Sequence, residues 1–298
     1  MTTGPFRRVG ITFNPQIAPA RDLAFEVLKA VQARDIDAWV EHDGDADSTR
    51  KDLATSDLMV CLGGDGTVLR CARLEMGTGM PILGVNLGRL GFLTELSADQ
   101  AFAGLQRVLA GEGRVEERTM LRASVGNGDV FHGLNEAVVG RATLSRAIQL
   151  AVDVDGTRIA DYRCDGVIVA TATGSTAYAL SVGGPLLHPE SRDIVIVPVA
   201  PHLAARHAVV LPGSEKVHIT LEADQQAVLS VDGESDRQLH EGDSVVVTKS
   251  EHTARFLRLS PPGEFYVRMA AQLGWHRPGG NARPLPAAGV EGRGGTAG

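Results

Sequence analysis

Three glycines, an aspartate and a threonine stand together in "GGDGT", residues 63–67, between the apolar run Leu58–Leu62 and a helical pattern. Glycine lets the backbone approach a ligand closely, and backbone N–H groups at a helix N-terminus form a site suited to phosphates. A helix cap alone would explain Asp65, but it would not require three glycines. The sequence therefore predicts a phosphate-binding turn, with binding residues Gly63, Gly64, Gly66, Thr67 and Arg70.

Asp65 is the residue of this turn that could do chemistry. A carboxylate beside phosphates is repelled by them unless it meets a metal ion or a hydroxyl group. An acid in this place can orient a sugar hydroxyl and accept its proton during phosphoryl transfer, so we predict that Asp65 is catalytic. The chain has no G-x-x-x-x-G-K-[ST] motif, and its glycines do not fit G-x-G-x-x-G. The sequence therefore argues against a P-loop protein and against a dehydrogenase.

Three further segments combine polar residues with predicted strand ends. "GLNEAVV" places Asn135 and Glu136 before an apolar run, where a buried pair needs hydrogen bonds or a ligand. "CDGVIVATATGSTAYALS" contains Asp165 and then a second helix start with hydroxyl groups and an aromatic ring, which suits a nucleoside. "SVDGES" offers Asp232 at a strand end. A plain turn is an equally good local interpretation at Asn135–Glu136, and it is the favoured one at Asp232.

The first third of the chain alternates between strand and helix patterns. The predicted strands are "RRVGITF", "DIDAWV", Leu58–Leu62 and "MPILGVN", and the predicted helices are "ARDLAFEVLKAVQAR", the segment through Leu69 and Leu74, and residues 98–110. Ser97 and Gln100 have the spacing of a capping box for the last of these helices. Such alternation predicts parallel strands in a doubly wound α/β layer.

The pattern changes near Glu116 to many short β-prone runs separated by Gly, Asn and Asp. These runs predict an antiparallel, sandwich-like β domain, with one short helix at Thr176–Ser181. The predicted fold class is thus α/β plus all-β. We place the α/β domain at 1–116, the β-rich dinucleotide-binding domain at 117–255 and a disordered, Gly/Pro/Ala-rich tail at 277–298.

Composition limits the classes of molecule that the chain could bind. A net charge of -7 argues against nucleic acid, and the chain shows neither a long apolar segment nor a basic amphipathic stretch for a membrane. Without a signal-peptide pattern, and with three cysteines that suit buried thiols, we expect a cytoplasmic protein. The nine histidines are scattered, so we expect no metal site of protein ligands; the expected metal is Mg²⁺ bound to ATP.

Several segments in one order resemble the NAD kinase family. They are "GGDGT", "GVNLGRLGFL", "LNEAVV", "DGVIVATATGSTAYALSVGGPLLHP" and "APH", between about residues 57 and 202, and "FYVRMAAQLGW" near the C-terminus is similar too. GGDG alone is shared with lipid kinases and phosphofructokinases, whereas the Asn-Glu pair and the "TGSTAY" block are far more specific. The resemblance implies transfer of a phosphoryl group from ATP or polyphosphate to the adenosine ribose 2′-hydroxyl of NAD.

The resemblance also implies roles for individual residues. Asp65 would activate or orient the hydroxyl, Asn135 and Glu136 would hold the adenine end, and Asp165 would face the nicotinamide side. The full set implied for NAD binding is Gly66, Asn135, Glu136, Asp165, Thr176, Ala177, Tyr178, Ser181, Ala200, His202 and Asp232. A homodimer or homotetramer is implied as well, with a C-terminal segment at about 256–276 packed back on the first domain.

The chain departs from the family pattern at two places. Ala172 stands where the family usually has proline, and the loop after "APH" is one residue shorter between His202 and Arg206, with His207 in place of proline. Two alternatives therefore stay open. One is a diverged kinase of the GGDGT superfamily that acts on another adenosine-like, sugar or lipid hydroxyl. The other is a nucleotide-binding regulatory protein without turnover, although binding alone would not need a carboxylate at position 65.

Overall fold

The structure is a computed structural model that describes residues 6–42, 52–88, 91–126, 128–143, 146–202, 206–222 and 226–275. The described residues up to Ser260 belong to one compact unit, and those from Pro261 onward belong to a second. The predicted tail at 277–298 and residues 203–205 of the shortened loop lie outside the described residues.

The first part of the chain has the predicted alternation. Its elements are β1 (Arg8–Phe13), α1 (Ala18–Gln32), β2 (Asp37–His42), β3 (Leu58–Gly63), α2 (Asp65–Leu74), β4 (Pro81–Asn86), β5 (Leu96–Ser97) and α3 (Ala101–Leu109). Strand β1 pairs in parallel with β2 and β3, and β3 pairs in parallel with β4. A 3₁₀ turn at Ala98–Gln100 precedes α3, and the Gln100 side chain accepts the Ser97 N–H at 3.2 Å, as expected for a capping box.

Helices cover both faces of this parallel layer. Leu58, Val60 and Leu62 of β3 pack with α1 and α3, whereas Met59 and Cys61 pack with α2 on the opposite face. Successive strand residues point to opposite faces, so this division shows that β3 is buried on both sides. The doubly wound α/β layer is confirmed.

The rest of the first unit is almost entirely strand. Its elements are β6 (Arg114–Val125), β7 (Asp129–Gly133), β8 (Glu136–Arg141), β9 (Ile148–Val154), β10 (Thr157–Cys164), β11 (Gly166–Thr171), α4 (Tyr178–Ser181), β12 (Ile194–Val199), β13 (Val209–Leu211), β14 (Val217–Leu221), β15 (Ala227–Val231), β16 (Ser235–Leu239) and β17 (Ser244–Arg258). A 3₁₀ turn, Gly174–Thr176, leads into α4. The second unit contains α5 (Glu264–Gln272).

Two sheets form the predicted sandwich. One has the order β13-β12-β11-β8-β15-β16, and the other runs β10-β9-β14-β17-β4-β3-β1-β2 with β5, β6 and β7 attached. An apolar core between them takes residues from both, such as Val167 and Val169 of β11 and Val217 and Ile219 of β14. The antiparallel β layer is thus confirmed.

Strand β17 joins the two layers. Near its start it pairs antiparallel with β14, and near its end Phe256 pairs in parallel with Ile82 of β4. One continuous sheet therefore extends from the antiparallel layer into the α/β layer, and it positions the ends of β3 and β4 against the β-rich half of the molecule. The domain limits given above stay predictions.

Burial of the cysteines agrees with the sequence. Cys61, Cys71 and Cys164 are all buried and free, and burial raises the pKa of the Cys164 thiol to about 12. Among the described residues, no helix is both long enough and apolar enough to cross a membrane.

Candidate active site

The GGDGT turn lies where β3 ends and α2 begins. Gly63 is the last residue of β3, and α2 begins at Asp65. A side chain at position 63 would overlap with Thr67, whereas a Cβ at Gly64 would meet nothing within 4 Å. Packing within the protein thus explains Gly63, and Gly64 leaves an open backbone face beside the helix N-terminus. That face has the features of a phosphate site.

The carboxylate of Asp65 is held by the loop after β4. The Phe92 N–H donates to its Oδ2 at 2.9 Å, and the Leu93 N–H donates to its Oδ1 at 3.1 Å. Gly91 passes so close that a side chain there would overlap with the carboxylate. A carboxylate has about four lone-pair sites, so each oxygen can still accept a hydrogen bond from a ligand hydroxyl.

A buried ion network supports this loop. Arg258 donates to the Leu93 carbonyl at 2.8 Å and, through Nε, to Glu116 Oε1 at 3.1 Å. Arg118 donates to the same Glu116 oxygen at 2.9 Å and to the Thr173 hydroxyl at 3.2 Å. Burial raises the pKa of Glu116, but the charges of Arg118 and Arg258 outweigh it and lower that pKa to about 2. The network therefore connects the loop that holds Asp65 with the start of the "TGSTAY" turn.

Asp232 organises the Asn135–Glu136 pair. Its carboxylate accepts the N–H groups of Leu134, Asn135 and Glu136 at 2.7, 2.8 and 3.1 Å. These bonds explain why β7 ends and β8 begins within "GLNEAVV", since the amides at this point bind a side chain instead of a neighbouring strand. Asp232 also lies in the turn after β15, where its φ is 51°. The residue that forms this turn is therefore the same one that caps the Asn135–Glu136 pair.

Glu136 is a buried carboxyl group with spare hydrogen-bonding capacity. Its side chain is 8% exposed, and within the described part of the chain its Oε2 has no hydrogen-bond partner. Burial, with a smaller contribution from the charge of Asp232, raises its pKa to about 8, although a hydrogen bond from the Tyr178 backbone lowers it. An unpartnered buried polar atom is costly and marks a contact that a ligand can complete.

The "TGSTAY" turn packs directly on this pair. A side chain at Gly174 would overlap with the Asn135 carbonyl, and the Thr171 N–H donates to that carbonyl at 2.9 Å. Thr176 and Ala177 are half-buried beside it, whereas the Tyr178 ring and Ser181 are exposed. The structure therefore brings the predicted nucleoside-binding residues of the two segments together.

Helix α2 connects the GGDGT turn with the Asp232 hairpin. Arg70 Nη1 lies 3.1 Å from Glu234 Oε1, and Arg73 pairs with the other oxygen of the same carboxylate. Glu234 follows Asp232 by two residues, so the helix that begins at Asp65 contacts the turn that caps Asn135 and Glu136. The two halves of the predicted site are neighbours, and Arg70 is engaged by Glu234 here.

Comparison with known proteins agrees with this arrangement. The family model described as the ATP-NAD kinase N-terminal domain matches residues 10–113, and the ATP-NAD kinase C-terminal domain model matches residues 134–259. The chain belongs to the NAD kinase family. It is 37% identical over 273 residues to the NAD kinase of Dehalococcoides mccartyi (strain CBDB1), and this match covers 90% of this chain and 96% of that relative.

Two solved structures of this family have the same fold. Yeast NADH kinase complexed with NADH superposes with a TM-score of 0.82 at 24% identity, over 94% of this chain and 91% of the other. An NAD kinase from Archaeoglobus fulgidus in complex with ATP gives a TM-score of 0.75 at 26% identity, over 91% of this chain and all of that one.

Three of the residues implied by the NAD kinase resemblance form a separate group. Asp165 precedes β11 and pairs with Arg141 at 3.1 Å, and the His202 N–H donates to the Arg163 carbonyl at 2.8 Å. Ala200 lies beside them with φ of 47°. Strand β11 separates this group from the Gly174 turn by about 17 Å at the usual rise per residue. The structure does not bring the two groups together, and their roles in NAD binding stay predictions.

Nothing in the sequence pointed to the network of Glu116, Arg118 and Arg258 as a unit. Glu116 and Arg118 stand where the β-prone runs begin, and charged residues are rarely buried without partners, which is the one signal they offered. Nothing in the local pattern indicated that residues 142 positions apart would meet.

Replacing Glu136 with Gln should remove a pH dependence of stability. The pKa of Glu136 is raised to about 8 in the folded chain from an ordinary 4.5. Because the folded chain holds this proton more tightly than the unfolded chain, the stability that the group contributes is present below pH 4.5 and is lost as the pH rises through 8. Relative to wild type, Glu136→Gln should therefore gain about 4 kcal/mol of unfolding free energy between pH 5 and pH 9. Urea unfolding at both pH values measures this difference. The exposed Glu241→Gln is the control, and an equal change in both variants would contradict the assignment.

Breaking the ion network should destabilise the chain far more than breaking a surface pair on the same strand. Arg258→Gln leaves Glu116 buried with one charge partner fewer, and we expect a loss of about 3 kcal/mol. Arg255→Gln removes an exposed pair with Glu117 and should cost less than about 1 kcal/mol. Denaturant unfolding at pH 7 compares the two variants, and similar losses would show that the network is energetically ordinary.

Proposed function

We propose that this chain is an NAD kinase that transfers a phosphoryl group from Mg-ATP to the 2′-hydroxyl of the adenosine ribose of NAD and so forms NADP. The observation that carries the proposal is the Asp65 carboxylate, fixed by two backbone amides beside an open, glycine-lined helix N-terminus. The relative named NAD kinase and the two solved structures, one holding NADH and the other ATP, support the same pair of nucleotide substrates.

Asp65 would act mainly by position. A carboxylate is a weak base toward an alcohol, so the proton of the ribose hydroxyl would pass to Asp65 late, once the bond to phosphorus is forming. A loose phosphoryl-transfer transition state asks little of a base. The larger contributions would come from alignment of the hydroxyl and from neutralisation of charge on the phosphates. The amides of Phe92 and Leu93 keep the carboxylate in one orientation for that task.

The phosphates of the donor would lie against the turn at 63–67. The open face of Gly64 and the N-terminal amides of the ten-residue helix α2 supply donors there. Arg70 could join them by leaving Glu234, because an ion pair between partly exposed side chains is worth little. Mg²⁺ belongs to this proposal as part of the ATP substrate, and polyphosphate is the alternative donor.

The adenosine of NAD would lie between the Asn135–Glu136 pair and the turn that carries Tyr178. The unpartnered Oε2 of Glu136 offers a hydrogen-bonding position, and with a pKa near 8 the group is mostly protonated at neutral pH and can donate as well as accept. The exposed Tyr178 ring offers an apolar surface for a base or a sugar. A homodimer or homotetramer and a cytoplasmic location complete the proposal and rest on the family resemblance and on composition.

Replacing Asp65 with Asn should lower the rate of NADP formation by about 100-fold or more, because the variant keeps the shape and loses the charge. The assay supplies Mg-ATP and NAD and detects NADP with an NADP-specific dehydrogenase. Denaturant unfolding of the variant serves as a control for the loop contacts that Asp65 makes. Near-normal turnover by a folded variant would contradict the role of Asp65.

The same assay separates the alternatives when ATP consumption and NAD binding are measured as well, with NAD and with other hydroxyl acceptors. ATP consumed only when NAD is present, with NADP formed, supports an NAD kinase. ATP consumed with another hydroxyl acceptor, and no NADP, would indicate a diverged kinase of the superfamily. NAD bound without any ATP consumption would indicate a regulatory protein.

Substitutions at the two glycines should separate folding from phosphate binding. Gly64→Ala adds a methyl group to open space, so its unfolding free energy should change by less than about 1 kcal/mol while its KM for ATP rises at least about tenfold. Gly63→Ala would overlap with Thr67 and should lose about 2 kcal/mol of stability. An unchanged KM for ATP in Gly64→Ala would show that phosphates do not approach this face.

A further inference from the structure

A group of metal-ligating side chains lies outside the site described above. His132, Glu251 and His252 each offer one ligand atom, and these atoms all lie within 4.8 Å of one another. His252 Nε2 is 3.7 Å from Glu251 Oε1, and the two imidazole rings are 5.2 Å apart. Both histidines are half-buried, and Glu251 is exposed.

An irregularity in β17 creates this group. Strand β6 lies between β7 and β17, and its pairing with β17 shifts between Lys249 and Thr253. Three residues of β17, 250–252, therefore stand opposite a single residue of β6. Such a bulge re-aims side chains that would otherwise alternate between faces. It allows Glu251 and His252 to approach His132 across the intervening strand.

Ser250 fixes the orientation of His132. Its hydroxyl oxygen lies 2.8 Å from His132 Nδ1 and accepts the His252 N–H at 3.0 Å. The hydroxyl is buried, and its contact with one ring nitrogen leaves the other, Nε2, for a cation. Metal-ligating histidines are commonly held in this way by a polar group on their second nitrogen.

We propose that His132, Glu251 and His252 form a binding site for a divalent transition metal ion of the Zn²⁺ class, with Ser250 as the residue that orients His132. Two imidazoles and one carboxylate suit Zn²⁺, Co²⁺ or Ni²⁺ rather than Mg²⁺, and water can fill the remaining position on the exposed side. Ligand bonds of about 2.0–2.2 Å require the side chains to close by about 1 Å.

The surrounding charges do not oppose such an ion. A histidine must be neutral to bind a metal, and burial, with smaller contributions from His252 and Arg122, lowers the pKa of His132, although Glu251 raises it. A backbone hydrogen bond lowers the pKa of Glu251 and favours its ionised form. Burial opposes this, and the charges of His132, His252 and Arg122 act in the same direction as the hydrogen bond.

A bound ion would tie β7 to the bulge of β17. His132 is two residues before Leu134, the first of the three amides that Asp232 binds. The His252 ring lies beside Gly77, which follows α2, since a Cβ added there would be 3.7 Å from the ring. The ion would therefore stabilise the backbone that precedes the Asn135–Glu136 pair. The proposal departs from the sequence-based expectation of no protein-ligated metal, and it does not depend on the kinase activity.

Metal binding to the full chain, free of any histidine tag and stripped by a chelator, tests the proposal. We expect one equivalent of Zn²⁺ in calorimetry and one of Co²⁺ in visible absorption, with an unfolding midpoint that rises with the metal concentration. His132→Ala and His252→Ala should each weaken binding by about 100-fold or more, and Ser250→Ala by about tenfold. His218→Ala, at a half-buried histidine on β14, should bind like wild type.

Each variant is first compared with wild type by denaturant unfolding without metal, and His132→Gln replaces His132→Ala if the latter does not fold. Less than one equivalent bound by wild type, or an affinity in the His132 and His252 variants equal to that of wild type, would overturn the proposal.

Discussion

The arrangement of the site depends on two hydrogen bonds, from the N–H groups of Phe92 and Leu93 to the carboxylate of Asp65. They give an acid at the end of a buried strand hydrogen-bond partners for its charge. A cation there would compete for the carboxylate and occupy the space of a ligand. Backbone amides satisfy the charge and leave lone pairs open to a hydroxyl group.

The rest of the molecule keeps those two amides in place. Arg258 donates hydrogen bonds to the Leu93 carbonyl and to the Glu116 carboxylate. Arg118 extends the same network by donating to the Thr173 hydroxyl. Burying such charges is expensive, and a network of this kind is tolerated when every member has partners. Strand β17 makes it possible, because this one strand runs from the β sandwich into the parallel sheet and carries Arg258 at its end. The phosphate side of the site, at the end of β3, and the nucleoside side, on β8 and β11, thus belong to two different sheets, and the ion network connects them.

The sequence predicted those features that have a local signature. The period of the apolar residues identified the parallel layer, and the three glycines of GGDGT located the turn that holds Asp65. The contacts of Asp65 could not be predicted, since backbone amides carry no side-chain signal and Phe92 is 27 residues away. The same holds for Arg258 and Glu116, which meet only through sheet pairing, and for His132 and His252, which a bulge brings together. The local interpretation of Asp232 as a turn residue agrees with the structure, and its carboxylate also caps the Asn135–Glu136 pair. Its role in NAD binding stays a prediction.

In the proposed function, the fixed Asp65 carboxylate meets the hydroxyl that receives the phosphoryl group. A crystal structure of the chain with NAD bound would show this contact. We expect the 2′-oxygen of the adenosine ribose within about 3 Å of an Asp65 oxygen, while the Phe92 and Leu93 amides still hold that carboxylate. A 2′-oxygen more than about 5 Å away, with a different hydroxyl against Asp65, would contradict it.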